Sequence, residues 1–124
     1  MTNISNKERL TLASLAAKDC GILSSTSVSL SLEQIDGLLT VLPEWRYDPE
    51  PSICRQYKFK NYQQTVQLVN AIASIAESND HHPEVSFSYN TCSIRYSTHV
   101  NNGITENDFI CAAQIELAFL QIDD

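Results

Sequence analysis

The chain has only three histidines, His81, His82 and His99. Imidazole titrates near neutrality, with an unperturbed pKa of about 6.5. One charged and one neutral imidazole in a shared pocket can give a proton and take another in the same turnover. Coupling between them would spread their titrations. A single histidine at a strand end is ordinarily a surface or a satisfied core residue, but three that converge make an acid–base constellation. Metal ligation fits the pattern poorly. Adjacent His81 and His82 point to opposite sides of an extended chain, and no H-x-H, H-E-x-x-H or cysteine pair supplies further ligands. No metal and no cofactor are therefore expected. No serine or cysteine sits in a nucleophile elbow, and no Gly-rich loop could cradle a phosphate.

The elements that must position these residues follow from periodicity. Ser5-Asn6-Lys7-Glu8 reads as a capping box opening a helix near 6–20, with Gly21 after its end. Residues 22–31 read as a loop. Ser31-Leu32-Glu33-Gln34 opens a second helix with Leu32, Ile35, Leu39 and Leu42 on its apolar face, stopped by Pro43. A short strand at 44–48 and the turn residues 48–51 precede a strand at 53–59. There Ile53, Arg55, Tyr57 and Phe59 alternate with Cys54, Gln56 and Lys58. A long helix near 61–78 carries Tyr62, Val66, Val69, Ala73 and Ala76 on one stripe, widened by Leu68, Ile72 and Ile75. Two alternating runs follow the histidine pair and read as a hairpin. Thr105-Glu106-Asn107-Asp108 opens a last helix whose buried stripe is Ile110, Ala113, Leu117 and Leu120. The fold class predicted is α+β in the order α-α-β-β-α-β-β-α. It is a four-stranded antiparallel sheet with its helices on one face. Residues 1–124 read as one domain, with 1–25 as an N-terminal helical extension.

The second hairpin gives a register. A two-residue loop at Asn90-Thr91 sets Phe87 opposite Ile94 and Val85 opposite Tyr96 on the apolar face. Ser88 then faces Ser93 and Ser86 faces Arg95 on the polar one. Extended outward, the same ladder sets His82 opposite His99, where directly opposed Cβ atoms lie about 4.5–5.5 Å apart. A bulge at Pro83 would turn His82 to the other face.

Composition narrows the partners. A net charge of −7 opposes binding to nucleic acid, which needs Lys and Arg to displace counterions, and to anionic membranes. The four cysteines form no C-x-x-C pair and read as reduced, mostly buried thiols. With no apolar signal-like segment and no stretch approaching a membrane span, the expected location is the cytoplasm. An open four-stranded sheet leaves edges that are commonly covered, so a homodimer or homotetramer is expected.

The segment Glu77-x-x-x-His81-His82-Pro83, followed by Tyr89, His99 and Asp108, resembles the signature of the pterin-4a-carbinolamine dehydratases. The spacings agree: six residues from Pro83 to Tyr89, ten to His99 and nine to Asp108. Leu42-Pro43-Glu44-Trp45, the Arg55-x-Tyr57-x-Phe59 strand and Asn61-Tyr62 are similar to that family too. The resemblance covers roughly residues 30–120. Val85 departs from it, standing where many relatives have an aromatic.

The resemblance implies the same helix-backed sheet and a small pterin substrate. The implied reaction dehydrates 4a-hydroxytetrahydropterin to quinonoid dihydropterin, without a cofactor, in tetrahydrobiopterin recycling. It also implies that His81, His82 and His99 carry the site, one protonating the leaving hydroxyl, one accepting the ring proton and one orienting the pterin. Which does which is open at this point. Asp108, Glu77, Trp45 and Pro83 are implied as binding or orienting residues, each with a structural alternative. Asp108 could be only the N3 partner of a helix cap, Glu77 an exposed helix-end residue or the holder of His81, and Trp45 a pocket wall or a core residue. Some animal relatives double as dimerisation cofactors of a transcription factor, so a protein-binding module is the alternative function. Retention of all three histidines favours catalysis.

Overall fold

The computed structural model describes residues 10–122, arranged as α1 (Leu12–Ala16), α2 (Leu32–Leu39), β1 (Arg46–Asp48), β2 (Ser52–Lys58), α3 (Tyr62–Asn79), β3 (Glu84–Phe87), β4 (Thr91–Tyr96) and α4 (Glu106–Phe119). This is the expected α+β order. The strands form one antiparallel sheet in the order β1-β2-β4-β3. Among the described residues no helix is long and apolar enough to cross a membrane.

The helix starts follow local side-chain chemistry. Ser31 and Gln34 form the expected reciprocal box, with Gln34 N donating to Ser31 Oγ at 3.1 Å and Ser31 N to Gln34 Oε1 at 2.8 Å. Asn61 accepts from Gln64 N at 2.9 Å and starts α3. The proposed Ser5 cap lies outside the described residues. The first helix is shorter than its predicted span and starts instead at a box between Thr11 and Ser14. It ends early because the chain beyond it is tied to α4 instead. There Gly21 N donates to Asn107 Oδ1 at 3.0 Å, and the Gly21 carbonyl accepts from Asn107 Nδ2 at 2.8 Å.

The alternation in β2 and β4 places Ile53, Tyr57, Cys92, Ile94 and Tyr96 on the helix-covered face, all buried. Cys54, Gln56 and Arg95 lie on the uncovered face. On α3 the buried line is Thr65, Leu68, Ile72 and Ala76. Tyr62 is half exposed and leaves that stripe to meet the rings of Phe87 and Tyr89. Helix α4 is buried on nearly every side, from Asn107 to Ala113 and at Ile115, because α1 packs on one flank and α3 on another. Leu120 lies past its end and is exposed.

The hairpin register differs from the expected one. Val85 pairs with Ile94, Ser86 with Ser93, Phe87 with Cys92 and Glu84 with Arg95. The loop is Tyr89-Asn90, closed by Ser88 N donating to Thr91 O at 2.9 Å. Tertiary contacts fix it there. Tyr89 stacks on Tyr62, Thr65 Oγ1 donates to Tyr89 O at 2.9 Å, and Phe59 N donates to Asn90 O at 2.8 Å. The slip is two residues, so every face assignment survives it. The opposition of His82 to His99 does not. β3 begins only at Glu84, and His99 sits in a turn closed by the Thr98–Gly103 bridge. Ile94 is buried as expected, but Phe87 is 44% exposed on the edge strand.

Candidate active site

The last turn of α3 aims the first histidine. Asp80 adopts φ 51°, ψ 46°, His81 N donates to Ala76 O at 3.1 Å, and Asp80 N donates to Glu77 O at 3.4 Å. This is the Schellman pattern, with aspartate in the left-handed position that glycine usually takes. The chain reverses there. His81 enters the protein, its side chain 12% exposed, while His82 stays on the rim at 54%.

His81 is held from three sides. Its Nε2–H donates to Asp108 Oδ1 at 2.6 Å. Its ring lies parallel to that of Tyr96, with centroids 5.3 Å apart and planes at 6°. The Tyr96 hydroxyl donates to the His81 carbonyl at 2.9 Å. Asp108 is fully buried and uses its other oxygen twice, accepting from Thr98 Oγ1 at 2.8 Å and from Thr105 N at 2.9 Å. The two readings of Asp108 are thus one arrangement. The carboxylate sits at the start of α4, where the helix dipole and a free amide favour negative charge, and from there it reaches the imidazole. Burial disfavours the charged form of His81, but the bonded Asp108 carboxylate outweighs it, and the proton affinity is raised from that of an ordinary histidine.

Glu77 does not hold His81. One helical turn back and outside the reversal, it accepts from His82 Nε2 at 2.7 Å, and both side chains are exposed. His99 is exposed on its turn. Gly103 closes that turn, and a Cβ there would lie 2.0 Å from Ser29 Oγ, so only glycine lets the 24–30 loop approach. All three histidines and Pro83 nevertheless line one cleft of about 640 Å³, a size that suits a small heterocyclic ligand. Another hollow of about 640 Å³ lies on the uncovered sheet face, between Gln56, Ser93 and Arg95, and has no histidine in its lining.

Trp45 is not in the histidine cleft. It is 3% exposed in the core, and its Nε1 donates to Glu116 Oε1 at 3.0 Å. The same oxygen accepts from Arg55 and the Tyr57 hydroxyl, and the Arg55 guanidinium lies 3.9 Å from the Tyr57 ring centroid. A largely buried carboxylate needs such donors, so Trp45, Arg55 and Tyr57 are explained here by packing. Among the described residues no three of His, Cys, Asp or Glu converge to hold a metal ion.

Sequence reasoning missed four residues here: Tyr96, Thr98, Asn107 and Cys20. Thr98 left a signal, because it continues the inward face of β4 beyond Tyr96 and a polar residue there needs a buried partner. Cys20 lines the cleft with its sulfur 3.8 Å from that of Cys111. The Cys111 thiol bonded to it lowers the proton affinity of Cys20, burial opposes this, and nearby His81 adds to the lowering.

Comparison with known proteins shows the family. The family model for pterin 4 alpha carbinolamine dehydratase matches residues 28–118. A relative from Nitrosospira multiformis, whose name places it among the pterin-4-alpha-carbinolamine dehydratases, is 42% identical over 109 residues, spanning 88% of this chain and 96% of its own. One from Legionella pneumophila is 41% identical over 104 residues, spanning 82% and 92%. The solved structure of a "transcriptional coactivator/pterin dehydratase" from Brucella melitensis superposes with a TM-score of 0.71 at 30% identity, covering 73% of this chain and 98% of that one. The chain belongs to the pterin 4 alpha carbinolamine dehydratase family.

Proposed function

We propose that the protein dehydrates 4a-hydroxytetrahydropterin in the cleft shared by His81, His82 and His99, in the cytoplasm and in the service of tetrahydrobiopterin recycling. The reaction breaks the C4a–OH bond and the N5–H bond. The hydroxyl leaves as water with a proton from an acid, a base takes the N5 proton, and the product is quinonoid dihydropterin. The observation that carries this reading is His81 seated against the fully buried Asp108 beside the cleft. A fixed carboxylate behind an imidazole sets its tautomer and favours its protonated form. His81 is accordingly assigned as the acid that protonates the leaving hydroxyl. His82 and His99, on the open rim of the same cleft, share acceptance of the N5 proton and orientation of the ring. Pro83 shapes the rim between them, and Glu77 orients His82.

A purely protein-binding role, the other function carried by this fold, has no use for an imidazole held against a buried carboxylate. The test is a dehydration assay on 4a-hydroxytetrahydropterin generated in place by an aromatic amino-acid hydroxylase. Acceleration over the spontaneous reaction, lost by roughly 10²–10⁴-fold in His81→Ala, is expected for a positioned acid. No acceleration by the wild-type protein would sink the proposal.

A further inference from the structure

The family match begins at residue 28, yet one wall of the cleft is built from residues before it. Cys20, Gly21, Ile22 and Leu23 line the same space as the three histidines. This strap is held firmly. The paired hydrogen bonds between Gly21 and Asn107 fix its backbone, and Asn107 is 7% exposed, one residue before Asp108. Upstream, Leu15 is fully buried in the core, Gln114 Nε2 donates to the Ala16 carbonyl at 3.0 Å, and Lys18 pairs with Glu106 at 2.7 Å. The element that supports the strap is thus the one that supplies the carboxylate behind His81.

What the strap presents is apolar. Ile22 is fully exposed in the cleft wall, and Val100, on the His99 turn, is 49% exposed in the same lining. A large aliphatic side chain held in water on an anchored segment gains nothing from folding and becomes favourable only when a ligand covers it. The histidines offer the cleft proton donors and acceptors. A flat bicyclic ring also needs an apolar surface for its face, and Ile22 is the fully exposed large side chain that the strap offers for it.

We infer that the N-terminal strap is part of the substrate site, with Ile22 as a binding residue that covers the pterin ring and Asn107 as the positioning residue that holds the strap in place. The inference rests on the reading of the cleft as a pterin site. Because the apolar contact is the same before and during proton transfer, Ile22 acts on affinity and leaves the chemical step alone.

The test titrates 7,8-dihydrobiopterin into the wild-type protein, Ile22→Ser and Ile22→Val by calorimetry, alongside kcat and KM for dehydration. Expected are a Kd and a KM raised about 5–20-fold in Ile22→Ser, partial coverage of one aliphatic side chain, with kcat and Tm unchanged. Ile22→Val should stay within about threefold. Wild-type Kd and KM in Ile22→Ser would overturn the inference. If the wild-type protein binds dihydrobiopterin without dehydrating the carbinolamine, the dehydratase reading fails while the Kd ratio still decides the role of the strap. Absence of pterin binding by the wild-type protein refutes both.

Discussion

Replacing Asp108 by asparagine changes one oxygen for an NH2 group in a site where both carboxylate oxygens are used. Oδ2 accepts from both Thr98 and Thr105, so the asparagine oxygen is retained there and the new NH2 faces His81. The imidazole Nε2–H that donated to Oδ1 at 2.6 Å would then meet another donor. His81 must adopt the tautomer with a bare Nε2, which is incompatible with the protonated ring. The lost interaction is a hydrogen bond to a charged partner, about 1.5–3 kcal/mol, or roughly 10–150-fold in proton affinity at about 1.4 kcal/mol per factor of ten. With His81 as acid, turnover at neutral and higher pH should fall by up to that factor, less than for His81→Ala, which removes the group itself. The loss should be recovered as pH is lowered and the ring is again protonated, so the alkaline limb of the pH–kcat profile moves to lower pH.

Stability provides an independent reading of the same pair. A histidine whose folded-state proton affinity is raised stabilises the fold below its unfolded pKa of about 6.5, and loses that contribution as pH rises through the folded value. The wild-type advantage over Asp108→Asn in chemical denaturation should therefore be larger at pH 5.5 than at pH 9. The assay is a pair of pH–rate profiles with urea titrations at the two pH values. If Asp108→Asn lowers stability equally at both pH values and leaves the rate profile in place, Asp108 is a helix cap alone and the assignment of His81 as acid is wrong.

Four further outcomes follow. His82→Ala and His99→Ala should each cost about 10²–10⁴-fold in rate, and the double variant much less than the product of the two losses, because both serve one bound substrate; strictly multiplicative losses would separate their roles. Exhaustive chelation should leave activity intact, and stoichiometric zinc whose removal abolishes turnover would overturn a purely proton-transfer mechanism. Under mild alkylation at neutral pH, mass spectrometry should find Cys20, which lines the cleft, modified before buried Cys92, whose thiol burial pushes up to about 11; labelling of Cys92 first would contradict the packing. The edge strand β3 exposes Val85 and Phe87 at 37% and 44%, and covering such an edge should make the protein a homodimer or homotetramer by sedimentation equilibrium; a monomer at micromolar concentration would count against it.

Local patterns in the chain were enough for the order of its elements and for singling out the three histidines. Alternation in β2 and β4 has a period of two, and that alone assigns Tyr57, Ile94 and Tyr96 to the covered face whatever the strand register. The Ser31 cap, the Asn61 start and the Thr105–Asp108 relation are interactions within one helical turn, so they are written in four consecutive residues. The residue type likewise brought out His81, His82 and His99, which all line one cleft. Tertiary structure decided what depends on residues far apart. The hairpin turn is set by Tyr62 and Thr65 on α3 and by Phe59, none of which a local ladder can see. The reversal at Asp80 gave His82, not His81, to Glu77, and turned His81 inward to Asp108. Trp45 went to the core because Glu116, seventy-one residues away, needed its N–H. The strap over the cleft exists because one buried asparagine on α4 satisfies both backbone groups of Gly21, eighty-six residues earlier. Short-range hydrogen bonding and side-chain period are properties of a segment. The pairing of buried polar groups belongs to the whole packed chain, because burial makes an unmet partner costly and so selects, from all distant candidates, the one that meets it.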